Sequence, residues 1–200
     1  MVEINSFKTD VIDDFSNSIK TILDKDYKKF LNEGTICFEL SKSLTLIEEN
    51  KDNIFQNFPD FIDVSIPEQE LYIEIKYIRG IPSNEHIPVT NRFGQILNDM
   101  AKLSEKIEEG YRIVVVITEQ VQINYFESKD TRRPVGVLYN FVGKEGSIFD
   151  VDEADIKKWE SVPSVKDKIK YDLRKVKNIR ILIKKPIGEL TLIVYLINGN

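Results

Sequence analysis

The sequence predicts a mixed α/β domain: a β-sheet core flanked by helices, with a C-terminal β-hairpin added to it. Three observations carry this expectation. "LYIEIKYI" (71–78) and "YRIVVVIT" (111–118) are short apolar runs of strand length. An amphipathic stretch over 91–109 separates them, which is the pattern of a strand–helix–strand crossover. Near the C-terminus, "IRILIKK" and "LTLIVYLI" flank "PIGE", a turn built on Pro186 and Gly188.

Taken in order, Asp10 to Leu31 reads as a helix, because Val11, Ile12, Phe15, Ile19, Ile22, Leu23, Tyr27 and Phe30 recur at spacings of three and four. "NEG" at 32–34 reads as its stop, with Gly34 as the terminating residue. A second helix follows over 35–49, with Ile36, Cys37, Leu40, Leu44 and Ile47 on one face. Two strands, about 60–66 and 71–78, are joined by a turn at "PEQE". The stretch "RGIPSNEHIPVT" is a loop. Helix 91–109 shows the stripe Phe93, Ile96, Leu97, Met100, Leu103 and Ile107, and Gly110 ends it. The run 111–118 lacks alternation and so reads as a strand covered on both faces. "VQINYF" reads as a strand; "EADIKKWE" and "VKDKIKYDLRKV" read as helices. No repeat, low-complexity tract or long linker divides the chain, so residues 1–200 are expected to form a single domain.

Composition narrows the function classes. Two hundred residues with 42% apolar and 30% charged content describe an ordinary globular protein. One cysteine, Cys37, excludes an intrachain disulfide and fits a reducing compartment. The N-terminal stretch has no apolar signal region, and the longest apolar run, Leu190–Ile197, is too short to cross a bilayer, so a soluble cytoplasmic protein with no membrane partner is expected. His86, the single histidine, rules out a histidine-based metal site. Phosphate loops, dinucleotide fingerprints and Gly-x-Ser-x-Gly are absent. The net charge of −5 argues against a general nucleic-acid coat protein. Residues 157–185 nevertheless hold eleven Lys/Arg against three acids, a local +8 that leaves −13 on the rest. Such a segment attracts phosphates, with Arg174, Lys175, Lys177 and Arg180 as the first candidates. A solvated helix face explains it equally well. The loop "DTRRP" adds Arg132 and Arg133 on the same footing.

Charges inside the hairpin need a reason, since a strand interior is a costly place for them. Glu74 and Lys76 share one face of their strand, while Ile73, Ile75 and Tyr77 take the other. A three-residue loop, Pro67 to Gln69, sets Asp60 opposite Lys76; a four-residue loop, Pro67 to Glu70, sets Asp63 opposite Glu74 instead. Either register brings together an Asp, a Glu and a Lys. Two carboxylates with the Ile75 carbonyl between them make a hard oxygen site suited to Mg²⁺ (or Mn²⁺), and the lysine beside them can orient or help deprotonate a water. That set describes metal-assisted phosphodiester hydrolysis. The plainer alternative is a half-exposed Glu74–Lys76 ion pair guarding an edge strand.

Acid-x-Lys triplets also occur at Glu49, Glu127, Asp26 and Asp155, but only the one at 74–76 lies in an apolar strand at hairpin distance from a Pro-Asp. "Pro59-Asp60 … Glu74-Ile75-Lys76", with a helix before and a helix and buried strand after, resembles the PD-(D/E)xK nuclease superfamily over about residues 34–118. The resemblance implies a restriction-endonuclease-like fold and a Mg²⁺-dependent nuclease, with DNA as the expected substrate, endonucleolytic cutting as the expected mode and a homodimer as a common arrangement. It implies Asp60, Glu74 and the Ile75 carbonyl as metal ligands and Lys76 as the residue serving the water. The proline before Asp60 favours it over Asp63. Glu39, on the preceding helix, matches an additional carboxylate found in many members. Gln95 matches a glutamine on the following helix, without the tyrosine that accompanies it in exonuclease-like members. A nuclease fold that binds nucleic acid or recruits partners without turnover is the alternative function.

Overall fold

The computed structural model describes residues 4–25, 28–47, 53–57, 62–78, 89–127 and 143–198. A seven-stranded mixed sheet in the order β1-β2-β3-β4-β7-β6-β5 carries helices on both faces. Its strands are β1 (Phe55–Gln56), β2 (Val64–Ile66), β3 (Leu71–Ile78), β4 (Tyr111–Glu119), β5 (Ile148–Asp150), β6 (Asn178–Ile187) and β7 (Leu190–Ile197). The mixed α/β expectation holds at this level.

The first helix, α1 (Ile12–Asp24), is entered through a helical turn at Ile4–Ser6 and a π-helical stretch at Phe7–Val11. It ends earlier than its periodicity suggests, and a separate 3₁₀ turn, Lys28–Phe30, follows. "NEG" is not a stop but a start. Asn32 has extended backbone, and its side-chain oxygen accepts the Thr35 N–H, so α2 runs Glu33–Leu44 with Gly34 inside its first turn. Buried Phe7, Val11, Phe15 and Ile19 of the first helical layer and Ile36, Leu40 and Leu44 of α2 pack on Ile73, Ile75, Ile113, Val115, Leu192 and Val194 of the sheet.

The crossover is the central unit. β3 leads into α3 (Val89–Lys106) and then β4, which pairs with β3 in parallel from Leu71↔Tyr111 to Ile78↔Thr118. Ile113 to Thr118 are buried, as expected for a strand covered on both faces. Gly110 closes the return. Its φ is +102°, and a Cβ there would lie 2.3 Å from the Glu70 carbonyl, which accepts the Tyr111 N–H at 2.7 Å. The closing hairpin β6–β7 also forms, but Pro186 lies within β6 opposite Thr191, and the turn rests on Gly188 and Glu189.

Two further expectations fail. "VQINYF" belongs to a helix, α4 (Gln120–Glu127). The Gln120 amide donates to Asn124 one turn on, its oxygen accepts from Thr191, and Ile123 docks in the core, so helical spacing satisfies these groups where alternation would not. "VKDKIKYDLRKV" holds only the end of α6 (Pro163–Lys166) and a 3₁₀ turn, Leu173–Lys175. Between them the backbone is held by α3 side chains: Asn98 accepts the Lys170 N–H and Glu105 the Asp172 N–H. These tertiary bonds replace the intrahelical ones. "EADIKKWE" is helical, α5 (Glu153–Glu160), opened by a reciprocal Asp152–Asp155 capping box.

α3 is therefore covered twice. One side packs on Val114, Val116, Ile193 and Tyr195 of the sheet, the other on α6 and the 3₁₀ turn, where a Cβ at Gly94 would meet the Val165 carbonyl at 2.7 Å. No helix among the described residues is long and apolar enough to cross a membrane.

Candidate functional site

The β2–β3 ladder decides the hairpin register. Val64 pairs with Ile73, Ser65 with Tyr72 and Ile66 with Leu71, so the connection is the four-residue one, Pro67 to Glu70, with Glu70 in the left-handed region at φ 53°. One step further, Asp63 stands opposite Glu74. β2 stops at Val64, and β3 continues for five residues without a described strand on that side. Side chains take over the ladder: Asp63 Oδ2 accepts the Ile75 N–H at 2.7 Å, and Glu33 Oε1 accepts the Tyr77 N–H at 3.3 Å. Because N–H and C=O of one strand residue point the same way, the Ile75 carbonyl also faces this edge.

Glu74 and Lys76 share the other face of the sheet, under α3, as the alternation requires. They do not pair with each other. Glu74 is 3% exposed and receives Lys102 Nζ at 2.6 Å. Lys76 contacts Asp99 at 3.1 Å and Glu33 at 3.8 Å. The half-exposed edge pair is thus excluded for Glu74: its carboxylate is buried, and its partner comes from a helix.

The electrostatics follow from crowding acids in a dry place. Burial first, then Asp99 and Asp63, push the Glu74 carboxyl up to about 8, against the opposing pull of Lys102. Burial raises Asp99 to about 6, although Lys76 opposes it. Burial pulls Lys76 down, but Asp99 and Glu33 outweigh it and hold the ammonium above its ordinary value. Cys37 borders the same cluster. Burial, then Asp63, Glu33 and Glu74, drive its thiol up to about 12, so it stays protonated.

Of the residues singled out in the sequence, Asp63, Glu74, Ile75 and Lys76 converge. Asp60 lies outside the described residues, as do His86, Arg132 and Arg133. Glu39 does not join: its carboxylate pairs with Lys42 at 3.6 Å, and the α2 acid that reaches β3 is Glu33, almost two turns earlier. Arg174, Lys175, Lys177 and Arg180 are exposed and stand apart from the cluster. Arg180 is in register with Leu196, Ile113 and Ile73 in turn, three strand spacings of about 4.8 Å from β3. Arg174 is already paired with Asp172 at 3.0 Å.

Glu33, Asp99 and Lys102 were missed. A signal for two of them existed: Arg92, Gln95, Asp99 and Lys102 follow one another at steps of three, four and three, a polar flank beside the apolar stripe of α3. α3 runs antiparallel to β3, so Lys102 meets Glu74, Asp99 meets Lys76, and Gln95 and Arg92 come next along the same flank.

Two carboxylates, a backbone carbonyl and an ammonium group therefore meet at the part of β3 that no described strand covers. Among the described residues no group of three or more His, Cys, Asp or Glu side chains is placed to hold a metal ion. The donor set suits a hard dication that keeps most of its waters and takes further oxygens from a substrate. Crowding of Glu74, Asp63 and Asp99 is the penalty that such a charge relieves. Family models, curated proteins and solved structures contain no match to this chain.

Proposed function

We propose that the protein is a Mg²⁺- or Mn²⁺-dependent nuclease of the restriction-endonuclease-like type, acting on DNA as an endonuclease. The observation that carries the reading is the convergence of Glu74 and Lys76 on one buried face of β3 with Asp63 in register opposite Glu74. Glu74, Asp63 and the Ile75 carbonyl would hold the metal, with Asp60, the acid after Pro59, as the other candidate ligand. The metal supplies charge to a phosphate oxygen and acidity to a bound water. Lys76 is held by Asp99 on one side and Glu33 on the other, so its ammonium is aimed without a rotamer search. From there it donates hydrogen bonds to the attacking water or to the phosphate as charge builds. Lys102 balances Glu74 in the absence of a dication, and Gln95 on the same helix flank is a substrate-positioning candidate. Arg174, Lys175, Lys177 and Arg180 would contact distant backbone phosphates at most.

The test is incubation with plasmid, single-stranded DNA and RNA in Mg²⁺, Mn²⁺ or chelator. Metal-dependent cutting that Lys76→Ala abolishes is expected. Intact substrates under every condition overturn the reading.

One feature favours a second reading, a module that binds nucleic acid or recruits a partner without turnover. Glu74 and Lys76 each already have a close partner of opposite charge, as in a structural ion-pair lattice. Retained DNA binding with no cleavage identifies this case.

A further inference from the structure

Beyond Lys76, where β3 ends, the surface opens into a depression of about 620 Å³, within the range of small-ligand sites. Its walls come from three places: Lys29 and Leu31 before α2, Asn32 to Gly34 at the start of α2, and Tyr77 with Arg92 from β3 and α3.

The charges on these walls are unbalanced. Arg92 makes no ion pair or hydrogen bond with any described residue. Lys29 lies only over the Phe30 ring, 5.1 Å from its centre. Glu33 is the one acid among the described wall residues, and its Oε1 is engaged by the Tyr77 N–H and Lys76. The Asn32 side chain takes the Thr35 N–H and its carbonyl takes the Ile36 N–H, which leaves the Glu33 and Gly34 N–H groups without an intrahelical partner at the positive end of α2. At Gly34 an added Cβ would meet only the Asn32 side chain at 3.2 Å, so the backbone there is open to close approach. Two cations that no described residue compensates, one planar and one a point charge, then face a hollow continuous with the Lys76 site through Glu33. A compact polyanionic group satisfies this arrangement; an apolar or cationic ligand does not.

We propose that this depression binds a phosphate group of the substrate strand, adjoining the phosphate held at Glu74 and Lys76. Arg92 and Lys29 are its principal contacts. This rests on the nuclease reading for the identity of the ligand, but not for the presence of an anion site. The phosphate is either an internal phosphodiester or a terminal monoester.

The experiment is binding of a fluorescein-labelled DNA oligonucleotide, with and without a 5′-phosphate, in chelator so that no strand is cut, across a range of salt. Lys29→Ala/Arg92→Ala is compared with the charge-matched Lys20→Ala/Lys144→Ala, both lysines of the latter pair being exposed. The first pair is expected to weaken binding at least about tenfold and to lower the salt slope by about 1. The control pair leaves both within about twofold of wild type. A loss seen only with the phosphorylated strand assigns a terminal phosphate, and a loss seen with both assigns an internal one. Unchanged affinity and slope in Lys29→Ala/Arg92→Ala overturn the site, even if Lys76-dependent cleavage persists. In the opposite case the wild type cuts nothing, yet inorganic phosphate raises its melting temperature in an Arg92-dependent manner. The anion site then stands and the nuclease reading falls.

Discussion

Lys102 reaches across from α3 to the carboxylate of Glu74 at 2.6 Å, and both side chains are almost closed to water. A buried pair of this kind adds little net stability while intact, and when the ammonium is removed Glu74, already raised to about 8, takes up a proton and is left as a buried acid without its donor. Lys102→Ala is therefore expected to cost about 1–3 kcal/mol in urea unfolding at pH 8 without metal. Glu74→Gln keeps an oxygen for Lys102 to donate to and is expected to cost much less. Equal small losses in the two variants would remove the pair from any structural role.

The same burial sets a pH dependence. Glu74 and Asp99 titrate near 8 and 6 in the folded chain and near their ordinary values, about 4, when unfolded. The folded state thus binds more protons across this window, and stability falls as pH rises. Their contribution is fully present below about pH 4 and lost as pH climbs through 6 and then 8. Thermal melts in chelator should show this decline. Glu74→Gln should flatten its upper part and Asp99→Asn its lower part.

A dication among these acids reverses the trend. Mg²⁺ or Mn²⁺ binds the ionised carboxylates and displaces a proton, so its stabilising effect should grow from pH 6 to pH 8.5. Glu74→Gln and Asp63→Asn should each abolish the metal-induced rise in melting temperature. A rise that survives in both variants rules out a metal held by these two acids.

About half of this arrangement was legible in the sequence. β3 and β4 declare themselves because they are strand-length apolar runs on either side of an amphipathic helix. Glu74 and Lys76 stand out because charge inside such a run is costly. Lys102 and Asp99 did not, because on a helix they look like ordinary solvent-facing residues. Their burial comes from the tertiary pairing itself, Lys102 on Glu74 and Asp99 on Lys76 of β3. Glu33 was hidden by "NEG", where Asn32 turned out to cap the next helix instead of Gly34 ending the last one. Glu39 was favoured over it for its match to the additional carboxylate of the resembled superfamily, and such a match does not say which turn of a helix meets a strand edge.

Cys37 offers a reporter for the same region. With its thiol held up at about 12 by burial and nearby acids, the thiolate is scarce at pH 8. Alkylation by iodoacetamide should be more than about a hundredfold slower in the folded protein than in urea. Fast labelling without unfolding would mean that α2 does not stay seated on β3.

The outermost strands carry a consequence for assembly. β1 has two residues and β5 three, so each outermost strand among the described residues is too short to template a second chain. The longer β3 and β6 reach past these short neighbours, over residues 74–78 of β3 and the second half of β6. A second chain adding a strand to the described residues would therefore meet β3 or β6 and not the outermost strands, and on the β3 side it would settle against the backbone beside Glu74 and Lys76.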